Sequence, residues 1–239
     1  SGRDVWLLDP RGCGDSAHRS GRKPVRIREK FSVDLPCFLA HVASVTGSET
    51  VDAMGHSLGG ILVYLHALLE SSVPYRRLVT LGSPLRIEHA VIPGVLRSRI
   101  TGRFADRLGR IPLSGVTRRF NANARAAWMP MHFDPRHMTG DRFRCFLSSG
   151  VSDIYGPELS ELVTWVRTGC PFAMVERPRP VGNHRLPMPT RFLVGAEDRL
   201  TTPEAVSHAR QTIGSEACDY KVLGVRSGCR WDYRHTDTL

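Results

Sequence analysis

The sequence predicts an α/β fold: a mostly parallel sheet with helices on both faces and a mostly helical cap insertion. Three observations predict it. Short apolar runs alternate with helix-period segments over residues 4–81 and again from 190 onward, the rhythm of a parallel sheet with right-handed crossovers. A strand-like run, a glycine-rich turn and an apolar helix follow one another directly between Thr50 and Leu69. Between Leu85 and Pro189 the rhythm stops. The chain therefore divides into 1–84, the first part of the core, 85–189, a cap or lid insertion, and 190–239, the second part of the core.

Taken in order, Asp4-Val-Trp-Leu-Leu8 reads as a buried strand, followed by the turn-rich loop Asp9-Pro-Arg-Gly-Cys-Gly-Asp-Ser16. Gly21 to Lys30 is basic and reads as irregular. A helix is expected from Asp34, because Leu35, Phe38, Leu39, Val42 and Val45 recur at helical spacing and Gly47 stops it. Thr50 to Met54 and Arg77 to Leu81 read as strands, with the apolar helix Ile61 to Leu69 between them. The insertion shows short helical patterns, Leu159 to Val166 among them, and no clear strand. Long insertions between sheet strands commonly serve as functional lids. Thr190-Arg-Phe-Leu-Val194 restores the strand pattern. Thr202 caps a helix with Pro203 at its first position and Gly214 at its end. Asp219 to Val225 is the last strand.

A chain of 239 residues, 41% hydrophobic and 23% charged, suffices for one such domain with its insertion. No apolar run is long enough to span a bilayer. The net charge is +10, carried almost wholly by arginine, with lysine only at 23, 30 and 221. Residues 84–189 hold 16 arginines against 8 acidic residues, the larger part of that excess. The arginines are scattered without an aromatic platform, so a nucleic-acid partner is not expected. The six cysteines have neither metal-ligand spacing nor C-x-x-C pairs and read as separate thiols. No signal peptide is visible, which favours the cytoplasm; the chain begins at Ser1 without a methionine, so location stays open.

The chemistry centres on Gly55-His-Ser-Leu-Gly59, a G-x-S-x-G turn between strand and helix. Such an elbow projects a serine hydroxyl from the fold, and its strain asks for glycine on both sides, at Gly55 and Gly59. His56 is next to the nucleophile and is expected to point away from it. The N–H of Leu58, at the start of the helix, would face the oxyanion of an acyl intermediate. A serine nucleophile needs a base, and the base an orienting carboxylate, all just past the carboxyl ends of strands. Asp198 follows the Thr190 strand and His235 follows the last one, giving the order Ser57, Asp198, His235. Glu197 is the alternative acid. The competing histidines are weaker: His66 and His208 lie in helices, and His132, His137 and His184 lie in the insertion, away from any strand end.

These residues resemble the α/β-hydrolase superfamily, of serine esterase and lipase type. The resemblance rests on Asp9-Pro-Arg-Gly-Cys-Gly-Asp-Ser16, Gly55-His-Ser-Leu-Gly-Gly60, Gly195-Ala-Glu-Asp198 with Pro203, and Tyr233-Arg-His-Thr-Asp237. Asp4-Val-Trp-Leu7 with Arg11-Gly12 and the terminal Tyr-x-His-x-Asp look like the acid and gastric lipase branch and its bacterial relatives. The resemblance implies an α/β-hydrolase fold and a cofactor-free carboxylic ester hydrolase working through an acyl-enzyme. Its substrate would be a small-molecule or lipid ester, with peripheral membrane contact left open. Trp128, Met129, Met131, Phe133 and Trp165 are candidates to line an acyl pocket. The family's earlier strand with a His-Gly loop, source of the second oxyanion N–H, and its last helix are not seen, so the chain is expected to be a fragment lacking both ends. Acyl transfer, including polyhydroxyalkanoate synthase-like chemistry, and a non-catalytic binding protein are the competing readings. Serine rather than cysteine at the nucleophile counts against the synthase.

Overall fold

The computed structural model describes residues 2–16, 25–70, 72–87, 98–115, 132–134, 136–137, 140–146, 150–174 and 185–238. Four strands form a parallel sheet in the order β1-β2-β5-β6: β1 Val51–His56, β2 Tyr75–Leu81, β5 Thr190–Gly195 and β6 Cys218–Leu223. A two-stranded antiparallel sheet, β3 Arg110–Ile111 with β4 Ile154–Tyr155, lies within the insertion. The helices are α1 Ile27–Glu29, α2 Leu35–Thr46, α3 Leu58–Leu69, α4 Arg99–Ala105, α5 Gly140–Cys145, α6 Gly156–Thr168 and α7 Pro203–Ile213. The register pairs His56 with Leu81, Leu81 with Leu193, and Gly195 with Leu223. The carboxyl ends of the four strands thus lie along one edge.

The core follows the sequence pattern. Helix α3 is apolar all round and is buried from Gly60 to Leu68, as a helix inside the fold must be. Its Tyr64 packs against Phe192 of β5 and bonds Thr80 of β2 at 2.7 Å. Helix α7 places Val206, Ala209 and Ile213 on the same core. Thr202 caps it, accepting from Ala205 N–H.

Two expectations fail at the N-terminal end. Asp4–Leu8 is not a strand: Val5 is 83% and Leu7 89% exposed. An apolar run becomes a buried strand only when a neighbouring strand takes its backbone groups, and none of the described strands does so here. Trp6 instead packs edge-on against His41, and Leu8 against the core. The helix also begins earlier than Asp34. α1 runs through a π-helical turn, Lys30–Asp34, into α2. Asp34 does not cap it; its carboxylate accepts from Arg11 at the backbone N–H, Nε and Nη2, while Arg11 Nη1 pairs with Glu29. The helix stops where expected, with Gly47 at φ 69°.

Helix α6 attaches the insertion to the core through one face. Glu158, Glu161 and Trp165 recur at helical spacing. Lys30 Nζ meets Glu158 Oε1 at 2.5 Å, Ile27 N–H donates to Glu161 Oε2 at 2.5 Å, and Trp165 Nε1 donates to Leu85 O at 2.7 Å. Burial pushes the Glu161 carboxyl up to about 7, opposed by the N–H groups of Ile27 and Arg28. A carboxyl raised in this way holds its proton more tightly folded than unfolded. Its charge therefore costs stability as pH rises from the ordinary carboxyl range through about 7. Glu161→Gln is expected to melt several degrees above the wild type at pH 8 and level with it at pH 4. Parallel melting curves would disprove this if the gap did not depend on pH.

Candidate active site

The backbone singles out Ser57. It has φ 53° and ψ −122°, and it is the non-glycine residue with positive φ among the described residues. That conformation costs on the order of 1–3 kcal/mol and persists only where its surroundings impose it. β1 and α3 impose it from either side, and Ser57 N–H donates to Leu81 O at 2.8 Å. Leu58 opens α3, where first-turn N–H groups have no intrahelical acceptor.

The glycine argument holds on one side only. A Cβ on Gly55 would stand 2.5 Å from the Cα and N of Gly60, whereas one on Gly59 would meet nothing within 4 Å. The close approach is between Gly55 and Gly60, not around Gly59. Gly55→Ala is expected to lower the melting temperature sharply or prevent folding. Gly59→Ala should melt at or slightly above the wild type, since alanine favours a helix over glycine by about 1 kcal/mol. Equal losses in the two variants would contradict this.

The loop after β5 carries Asp198, and a close backbone contact sets its path: Glu197 N–H donates to Tyr233 O at 2.9 Å. Asp198 is 3% exposed and fully engaged. Oδ1 accepts from Leu200 N–H at 2.9 Å and Thr201 N–H at 2.8 Å; Oδ2 accepts from Thr201 Oγ1 at 2.7 Å and meets His235 Nδ1 at 2.8 Å. A carboxylate offers only lone pairs, so Nδ1 carries the proton and Nε2 is left as the acceptor. Thr201 Oγ1 also lies 3.1 Å from Nδ1. Gly82, at φ 52°, lets the chain pass the ring: a Cβ there would stand 3.1 Å from His235 Cε1. Glu197 is the more exposed carboxylate and lies near Arg234 at 3.5 Å. Of the two candidate acids, Asp198 is the one that meets the imidazole.

The structure therefore joins His235 to Asp198 and sets Ser57 on the same sheet edge. No hydrogen bond links the Ser57 hydroxyl to the His235 ring among the described residues; catalytic bonds are often long in ligand-free sites. Two histidines read as bystanders are not. His56 Nε2 donates to His235 O at 3.0 Å, and the two rings lie 4.6 Å apart. His132, from the insertion, sets its ring edge-on to His235 at 5.8 Å and bonds Thr236. Burial first, then neighbouring His235, lowers His56 and holds His132 to about 4. Both shifts favour the neutral ring. No local pattern marks His132, since its contact is made across the fold. His66 is a core residue bonded to Tyr75, and His208 is exposed on α7. His137 lies against Trp231, with Nδ1 3.6 Å from Asp237.

Trp165 is packed into the main core, and Phe133 forms a buried cluster with Phe143 and Phe146. Trp128, Met129, Met131 and His184 lie outside the described residues. No helix among the described residues is long and apolar enough to cross a membrane.

Comparison with known proteins bears on the fold and the family. No curated protein matches the chain in sequence. Among solved structures, the chain is similar to a thermophilic esterase from Thermogutta terrifontis (17% identity, TM-score 0.55, covering 95% of this chain and 71% of that one). It is similar to a monoacylglycerol lipase from Paleococcus ferrophilus (16%, 0.52, 90% and 72%). It is also similar to a meta-cleavage product hydrolase from Pseudomonas fluorescens IP01 (16%, 0.54, 92% and 69%). At these identities the likeness is one of fold. The profile of the alpha/beta hydrolase family matches residues 1–225, and with nearly the whole chain inside that match, the chain belongs to the alpha/beta hydrolase family.

Proposed function

We propose that the protein is a serine hydrolase that cleaves carboxylic esters through an acyl-enzyme. The observation that carries the reading is the buried His235–Asp198 pair at the strand ends where Ser57 sits in a strained elbow. In this reading Ser57 Oγ attacks the ester carbonyl and His235 Nε2 takes its proton. The tetrahedral oxyanion is stabilised by the N–H of Leu58. Collapse expels the alcohol, protonated by the His235 imidazolium, and leaves Ser57 acylated. Water, deprotonated by His235, attacks the acyl group and releases the acid. Asp198 holds the imidazole with Nδ1 protonated, and Thr201 holds Asp198. The esterase and lipase among the structural neighbours support an ester as substrate. Residues 85–189 act as a cap, of which 132–134 reach the His235 loop.

The test is reaction of the protein with a fluorophosphonate probe, followed by peptide mapping, beside hydrolysis of p-nitrophenyl esters of graded chain length. Labelling confined to Ser57, blocked by an ester that is turned over, supports the proposal. Labelling elsewhere, or none at all, rejects it.

A further inference from the structure

We propose that His132, brought in by the insertion, is a positioning residue for the acid–base histidine; this rests on the reading of Ser57, His235 and Asp198 as a triad. β6 ends at Leu223, well before His235, so the strand itself cannot hold that ring in place. Two hydrogen bonds from the core hold the backbone of the loop: Glu197 N–H to Tyr233 O and His56 Nε2 to His235 O. The insertion supplies four more. Thr236 N–H donates to His132 O at 2.9 Å, and Thr236 Oγ1 lies 3.3 Å from His132 Nδ1. Arg234 Nη1 donates to Phe133 O at 2.8 Å, and Asp134 N–H donates to Asp237 Oδ2 at 3.0 Å. Three consecutive residues of the insertion are thus bonded to the loop on both sides of His235.

This segment has its own anchor. Phe133 is 2% exposed and packs edge-on against Phe143 and Phe146. The bond from Nδ1 to Asp198 fixes one point of the His235 ring and leaves it free to rock about that point. The edge of His132 at 5.8 Å and the tilted ring of His56 at 4.6 Å limit the rocking. The groups facing His235 are Asp198 and Thr201 from the β5 loop, His56 from β1 and His132 from the insertion. On its own loop, Arg234 and Asp237 are engaged with the 133–134 backbone. Because burial favours the neutral forms of His56 and His132, a cation formed on His235 during turnover meets no like charge from either ring.

The experiment compares the wild type with His132→Ala, His132→Asn and Thr236→Val, all checked for a cooperative thermal transition. It measures kcat and KM on a p-nitrophenyl ester, and the downfield proton NMR resonance of the hydrogen between His235 Nδ1 and Asp198. Misplacing a catalytic group by about 1 Å can cost around a hundredfold, so a looser ring predicts a roughly tenfold fall in kcat for His132→Ala, with KM nearly unchanged. The resonance should broaden in the same variant. An asparagine amide can stand where Nδ1 stands, so His132→Asn should recover much of both. Unchanged kcat with a sharp resonance in folded His132→Ala overturns the proposal. A rise in KM alone also overturns it, by making His132 a substrate contact. If His132→Ala does not fold, Thr236→Val decides: wild-type kcat and a sharp resonance there are equally fatal. A wild type that fails to label at Ser57 rejects the triad reading instead, while the resonance still reports whether His132 orders His235.

Discussion

Replacing Ser57 by alanine is expected to abolish ester hydrolysis, and replacing His235 by alanine to do nearly the same. Where serine and histidine act as one unit, each single loss amounts to roughly 10⁶ in kcat. The double variant Ser57→Ala/His235→Ala should be scarcely slower than either single, because the second deletion removes a group that no longer has a partner. The site geometry makes the measurement discriminating. His56 and His132 lie within 6 Å of the His235 ring, measured between ring centres, so either could be imagined as a substitute base. His56 Nε2 is engaged with the His235 carbonyl, and burial keeps both rings poor proton acceptors. Full activity in His235→Ala, or losses that multiply in the double variant, would show that the base is another residue. Each variant should melt close to the wild type; a collapse of the melting temperature would mean that folding, not chemistry, was lost.

The parts of this fold that could be read from sequence are those written in local pattern. The strands ending at Leu81 and Gly195 carry a short apolar run, and those ending at His56 and Leu223 begin with alternating apolar and polar residues. The helices beginning at Leu58 and Pro203 carry an elbow glycine or a threonine cap at their first turn. Because parallel strands end on one edge, the same pattern points to Ser57, Asp198 and His235 as the candidate site, and the structure pairs the last two. What escaped depends on partners far away in the chain. Asp4–Leu8 has strand composition but no neighbour among the described strands to pair with. Lys30 ends a basic stretch without a regular period, yet it is 2% exposed because Glu158 lies opposite it. Asp34 has the composition of a helix cap and serves instead as the acceptor for Arg11. His132 reaches the site through a backbone bond and a side-chain bond to Thr236, which no motif encodes. Gly59 shows the converse case, in which a familiar motif position is glycine where the packing leaves space for a side chain.

Asp198→Asn is expected to lower kcat by about 10⁴ while leaving KM and the fold close to those of the wild type. The cause is the tautomer. In the native site Oδ2 accepts from both His235 Nδ1 and Thr201 Oγ1, so the imidazole proton is held on Nδ1. Oδ1 is committed to the N–H groups of Leu200 and Thr201. An asparagine would keep its carbonyl toward those two N–H groups, because turning its amide there would set donor against donor. The amide NH₂ would then occupy the place of Oδ2 and donate to His235 Nδ1. That forces the ring proton onto Nε2, the atom that the proposed mechanism needs free to take the serine proton. Glu197→Gln changes a carboxylate that meets Arg234 rather than the imidazole, so it should stay within about threefold of the wild type. Asp198→Ala removes the donor as well as the acceptor and releases the ring from the wrong tautomer. It should therefore be no slower than Asp198→Asn, although it leaves the Leu200 and Thr201 N–H groups without an acceptor and melts lower. Steady-state kinetics on the three variants, beside their melting temperatures, decides the point. Near-wild-type turnover in Asp198→Asn with a large loss in Glu197→Gln would transfer the orienting role to Glu197.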